Sequence, residues 1–167
     1  MIRVLGLDPG LRHTGWGIVE ADGSSLRFRA CGVVRVAAEG SLALRLQRLH
    51  DSLAATIRDF RPVEAAVEET VVNRNAGSSL KLGHARGVVL LTAARAGLTV
   101  HEYGAKTVKR AVTGTGAADK RQVAAMVRML LPGCGTPVAD AADALAVAIC
   151  HVHHRAGRLL LAKAAGR

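Results

Sequence analysis

Apolar and polar positions change their period several times along the chain, and each change predicts an element. Ile2 to Leu7 is almost continuously apolar, as a buried strand is, and Asp8-Pro9-Gly10 stops it because proline lacks a donor and glycine accepts positive φ. Thr14 to Glu20 and Leu26 to Val36 predict two more strands, divided by the turn-forming Asp22-Gly23-Ser24. Short connections between three successive strands predict an antiparallel meander. From Ser41 the period lengthens: Leu42, Leu46, Leu49, Leu53, Ile57 and Phe60 recur at steps of three or four, an amphipathic helix with Ser41 as its cap.

Pro62 is followed by Val63 to Glu69 as a fourth strand, a helical stretch from Ser78 to Ala96 closed by Gly97, and Leu98 to Tyr103 as a fifth strand. Strand, helix and strand in that order imply a parallel crossover. Val123, Met126, Val127, Leu130 and Leu131 mark a further helix ended by Pro132-Gly133. Pro137 to His154 is nearly all Ala, Leu, Val and Ile, a largely buried helix broken by two aspartates. The expected architecture is α/β: a five-stranded mixed sheet, three antiparallel strands then two parallel, flanked by helices. Residues 1 to 155 form the domain, and 156 to 167 form a basic C-terminal tail expected to fray.

Composition narrows the function. The 167 residues, half of them apolar, suit one domain with its own core and exclude a two-domain enzyme. A net charge of +10 predicts a polyanionic partner. Three cysteines, Cys31, Cys134 and Cys150, with no CxxC pair argue against a disulfide framework and for a reducing, cytoplasmic setting. Apolar stretches such as Val88 to Ala94 are far short of the ~18 residues that span a bilayer, and the first turn comes too early for a secretory signal.

Against that basic background a few acids stand where charge is costly. Asp8 lies where a buried strand meets a turn, a position suited to a ligand or to an Asx turn. Glu68 and Glu69 end the fourth strand; alternation sends one of them into the crevice beside Asp8, and periodicity leaves open which. Asp140 and Asp143, three apart, share one face of an otherwise apolar helix. A helix dipole accounts for Asp140 more readily than for Asp143. Like charges so close need a proton or a cation. Oxygen ligands of this kind select Mg²⁺ or Mn²⁺ over zinc and suit two-metal phosphodiester hydrolysis.

Four motifs in order carry a resemblance: Leu5-Gly6-Leu7-Asp8-Pro9-Gly10, Val67-Glu68-Glu69, Leu80-Lys81-Leu82-Gly83 with Ala85-Arg86-Gly87, and Ala139-Asp140-Ala141-Ala142-Asp143-Ala144-Leu145-Ala146. From about Ile2 to His154 the chain resembles the bacterial RuvC Holliday junction resolvases of the RNase H-like superfamily. The resemblance implies a tetrad of Asp8, Glu68, Asp140 and Asp143 holding two Mg²⁺ ions, with Mn²⁺ as a substitute, and so selects Glu68 over Glu69. It implies Lys109 and Lys120 near the DNA and the scissile phosphate, and further DNA contacts are expected from Lys81, Arg86, Arg110 and Arg121. It also implies symmetric cleavage of four-way junction DNA by a homodimer, 5′-phosphate and 3′-hydroxyl products, and contact with the branch-migration proteins RuvA and RuvB. The helix bearing Gly83, Gly87 and Ala94 is the expected dimer seam. In one departure Val71 stands where many members carry a stacking aromatic, so an apolar wedge, Val71 or Val72, with Asn73, Arg74 and Asn75 is expected at the junction centre.

Cys150, His151, His153 and His154 have ligand chemistry, but neighbours on one helical turn cannot all face a point, and a helix end using histidines against its dipole is the simpler expectation. Gly114-Thr115-Gly116, flanked by Lys109, Arg110, Lys120 and Arg121, is expected to contact a phosphate backbone. Two rivals remain. Asp8 to Gly15 also resembles the phosphate turn of actin-like ATPases, which need two such domains. A non-catalytic junction-binding protein would keep the basic surface but has no need of acids in an apolar helix.

Overall fold

The computed structural model describes residues 1–69 and 76–165, with side chains as far as Gly157. Its elements are β1 (Ile2–Asp8), β2 (His13–Asp22), β3 (Ser25–Arg35), α1 (Leu42–Phe60), β4 (Glu64–Glu69), α2 (Ala76–Arg95), β5 (Thr99–Gly104), α3 (Ala105–Thr113), α4 (Lys120–Leu130) and α5 (Ala139–Ala165). The strands form one sheet in the order β3-β2-β1-β4-β5. β1, β2 and β3 pair antiparallel, whereas β4 joins β1 and β5 in parallel, as the two crossovers require. This is the α/β mixed sheet that the periodicity predicts.

Local chemistry sets the boundaries. Ser41 Oγ accepts from the Leu44 N–H at 3.2 Å and starts α1. Arg61 ends it in a left-handed conformation, φ 49°, and Arg3 donates to the freed Phe60 carbonyl at 3.0 Å. A capping box of Asp119 and Gln122 starts α4. Two features differ from expectation. The short helix α3 buries only Val108 and Val112, too few positions for its periodicity to stand out in the sequence. The backbone of α5 continues through the segment set apart as a tail, so Cys150 to His154 lie mid-helix and not at a helix end.

Each face of the sheet carries its own core. On one, Leu5, Leu7, Ile18, Ala65 and Val67 pack with Leu49, Leu53 and Ile57 of α1 and Ala85, Val89 and Ala93 of α2. On the other, Val4, Val19, Ala66 and Tyr103 meet α3, α4 and α5. Helix α5 lies close against this second face because glycines leave room for its backbone. Gly6 pairs with Gly17 across β1 and β2, and Gly15 pairs with Asp8. A methyl group on Gly15 would overlap the Asp140 carbonyl, one on Gly6 the Ala144 carbonyl, and one on Gly17 would lie 2.6 Å from a Leu145 methyl. The start of α5 is thereby brought beside the end of β1.

Candidate active site

Strand alternation decides which acids meet. Val4, Gly6 and Asp8 share one side of β1, and Ala66 and Glu68 the corresponding side of β4, the side that α5 covers. The register pairs Leu7 with Val67, so Asp8 and Glu68 come next to each other one step further on. Both are half-buried. Glu69 points the other way and is exposed, so the pair left open by periodicity resolves to Glu68. Asp143 joins them from the second turn of α5, and Asp140 stands in the first.

Asp8, Glu68 and Asp143 line a cleft of about 130 Å³, together with Lys109 of α3 and Lys120 of α4; Val108, Val123 and Ala146 supply apolar walls. Lys120 Nζ donates to Asp143 Oδ2 at 3.0 Å while its side chain stays 80% exposed. Asp140 is not part of that lining, yet its charge reaches Asp8. Burial, then repulsion from Glu68, Asp143 and Asp140, pushes the Asp8 carboxyl from 3.8 to about 7, against a smaller opposing pull from Lys120. Burial and Asp143 likewise raise Glu68, opposed by Lys120 and Lys109. The hydrogen bond and charge of Asp143 raise the Lys120 ammonium, which therefore stays charged.

A partly buried set of carboxylates that repel one another is a site short of positive charge. Hard oxygen donors on three separate elements suit a divalent cation of the Mg²⁺ or Mn²⁺ type, so the residues present fit such an ion.

The basic residues singled out in the sequence divide into two groups. Lys109 and Lys120 border the cleft. Lys81, Arg110 and Arg121 are exposed on α2, α3 and α4. Arg86 instead turns inward: its guanidinium donates to the Glu68 carbonyl at 2.5 Å and pairs with Glu102, tying α2 to the ends of β4 and β5. That positioning contact was not anticipated, although Arg86 sits beside the inward stripe of Ala85, Val89 and Ala93. Val71, Val72, Asn73, Arg74 and Asn75 lie outside the described residues. Gly114 takes φ 81° to end α3, and the Thr113 hydroxyl donates to the Thr115 carbonyl at 3.0 Å.

Of the α5 ligand candidates, burial pushes the Cys150 thiol up to about 12, so it is not a thiolate donor. His153 meets the Ala111 carbonyl at 3.0 Å, and His154 stacks on Tyr103. The four do not converge.

The family model described as "Crossover junction endodeoxyribonuclease RuvC" matches residues 4–151. The chain belongs to the RuvC family. Membership makes it a Holliday junction-resolving endonuclease. The RuvC of Paramagnetospirillum magneticum is 60% identical over 166 residues, covering 99% of this chain and all of that protein. Thermus thermophilus RuvC, solved with a Holliday junction substrate, superimposes with a TM-score of 0.89 at 36% identity, covering 95% of this chain and 97% of the other. The yeast mitochondrial Holliday junction resolvase Ydc2 shares the fold at 12% identity, with a TM-score of 0.65 over 94% of this chain and 82% of its own. The sheet order and the RuvC match agree with the RNase H-like architecture that the motifs implied.

Proposed function

We propose that this RuvC-family chain cuts four-way DNA junctions by divalent-cation-dependent phosphodiester hydrolysis, with Asp8, Glu68, Asp140 and Asp143 as cation ligands. The observation that carries the proposal is the meeting of Asp8, Glu68 and Asp143 with Lys120 in one cleft. Two Mg²⁺ ions, replaceable by Mn²⁺, would supply positive charge for the attacking and departing oxygens. Asp8 and Glu68 would hold that charge at the sheet, while Asp140 and Asp143 hold it from the helix. Water adds to phosphorus, the bond to the 3′ oxygen breaks, and that oxygen leaves with a proton, giving 5′-phosphate and 3′-hydroxyl ends. The Lys120 ammonium offsets charge growing on the phosphoryl oxygens.

The exposed Lys81, Arg110 and Arg121 are proposed to hold DNA backbone, with Lys109 closer to the cut. The junction held by the Thermus relative supports the same substrate here. Two opposed strands require two cuts, and one such cleft is seen among the described residues of a chain, so the chain is proposed to act as a homodimer. Its seam is proposed along α2, where Leu80 and Leu91, 64% and 57% exposed, flank Gly83 and Gly87, whose Cβ positions face open space. Contact with RuvA and RuvB is proposed from the family resemblance, and a cytoplasmic setting from the three free cysteines. Among the described residues, no helix is long and apolar enough to cross a membrane.

Incubating a labelled four-way junction with and without Mg²⁺ tests the proposal. Paired nicks that DNA ligase reseals are expected only with the metal. Binding without cleavage would favour a junction-binding protein, and cleavage with chelator present would remove the metal from the mechanism.

A further inference from the structure

On the same sheet face, toward the opposite end of β4, Glu64, His101 and His151 converge. One donor atom from each lies within 4.8 Å of the other two. His151 is fully buried, and its Nε2 meets Glu64 Oε2 at 2.5 Å. The rings of His101 and His151 stand 4.6 Å apart. We propose that these three side chains form a second metal site, separate from the carboxylate cleft, that takes Zn²⁺ or a similar borderline transition ion.

Two imidazoles and one carboxylate are the donor set that favours zinc over magnesium, in contrast to the all-oxygen cleft. The outer contacts are those a metal site uses to fix its ligands. Tyr103 Oη lies 2.9 Å from His151 Nδ1, leaving Nε2 as the ligand atom, and Arg155 Nε donates to Glu64 Oε1 at 3.0 Å, leaving Oε2.

Entry of the ion replaces the direct contact between Nε2 and Oε2. His151 then keeps its proton on Nδ1, shared with Tyr103, and donates the Nε2 lone pair. His101 is half-buried and provides the route to solvent, where water completes a tetrahedral shell. Glu64 precedes Glu68 by four strand residues, ~13 Å along β4, and His151 follows Asp143 by eight helical residues, ~12 Å along α5. An ion here would brace the same strand and helix that carry two of the cleft carboxylates. The inference does not depend on the nuclease mechanism.

The test is Co²⁺ titration of the full chain in excess Mg²⁺, added to compete for the carboxylate cleft. One Co²⁺ per chain with the visible absorption of a tetrahedral site is expected, displaced by Zn²⁺ and retained in Asp8→Asn. His101→Phe and Glu64→Gln should each weaken binding at least ~10-fold. Zn²⁺ should raise the melting temperature of the wild type and not of His101→Phe. Absence of Co²⁺ binding under excess Mg²⁺, or binding undiminished in a folded His101→Phe or Glu64→Gln variant, would overturn the proposal and leave a metal-free ion-pair cluster. If both variants fail to fold, the wild-type stoichiometry and spectrum decide.

Discussion

The two faces of the sheet solve different problems. Under α1 and α2 the contact is bulky, with Leu5, Leu7, Ile18 and Val67 against Leu49, Leu53, Ile57 and Val89. Under α5 it is small, with Gly6, Gly15 and Gly17 against the helix backbone at Asp140, Ala144 and Ala148 and the side chain of Leu145. Each large side chain buried on the first face stabilises the fold by ~1.5–3 kcal/mol. The second face gives up some of that bulk for proximity, because only a close helix can set Asp143 beside the end of β1. Both faces bury an apolar core, and the carboxylates of the cleft stand on the closely packed one.

The largest effect that would sharpen this contrast is at Asp8. Asp8→Asn should lower junction cleavage at least ~10³-fold while leaving junction binding, which rests on the basic residues, close to wild type. The same change should stabilise the metal-free protein. Because the folded carboxyl titrates near 7 and the unfolded one near 3.8, the native state keeps its proton longer. The stability this contributes is complete below pH 4 and lost as pH rises through 7. Melting curves of metal-free wild type should therefore fall between pH 4 and 8, and Asp8→Asn should flatten that fall. Added Mg²⁺ should raise the wild-type melting temperature at pH 8 more than that of the variant.

Gly15→Ala attacks proximity itself, since the methyl group must displace the Asp140 carbonyl. Cleavage should drop ~10²-fold, the scale of a 1 Å misplacement, with a lower melting temperature; wild-type kinetics would show that the close approach is not needed. Arg86→Ala releases the Glu68 carbonyl and should slow turnover ~10-fold, with junction affinity little changed. A pure loss of affinity would instead make Arg86 a DNA contact. Leu53→Ala is the counterpart on the other face. It should cost ~2–5 kcal/mol of stability and leave cleavage per folded molecule unaltered at low temperature.

The sequence made the first of these faces easier to read than the second. The stripe from Leu42 to Phe60, its Ser41 cap and the run from Ile2 to Leu7 are local signals, and the structure repeats them within a residue or two. Asp140 and Asp143 stood out because acids in an alanine-rich helix are expensive. Glu68 could be chosen over Glu69 only by resemblance, since alternation fixes relative and not absolute direction. Gly6 enters the sequence reading only as part of a motif and Gly17 not at all, though Gly15 and Gly17 repeat at the spacing of one strand face. Arg86 with Glu102, and His151 with Glu64, are pairs distant in sequence, and nothing local in either partner announces the other.

The central claim is that carboxylates from β1, β4 and α5 share divalent cations. Anomalous diffraction from crystals grown with Mn²⁺ tests it most directly. Density bounded by Asp8, Glu68 and Asp143 is the result predicted; crystals saturated with Mn²⁺ that show none there would contradict it.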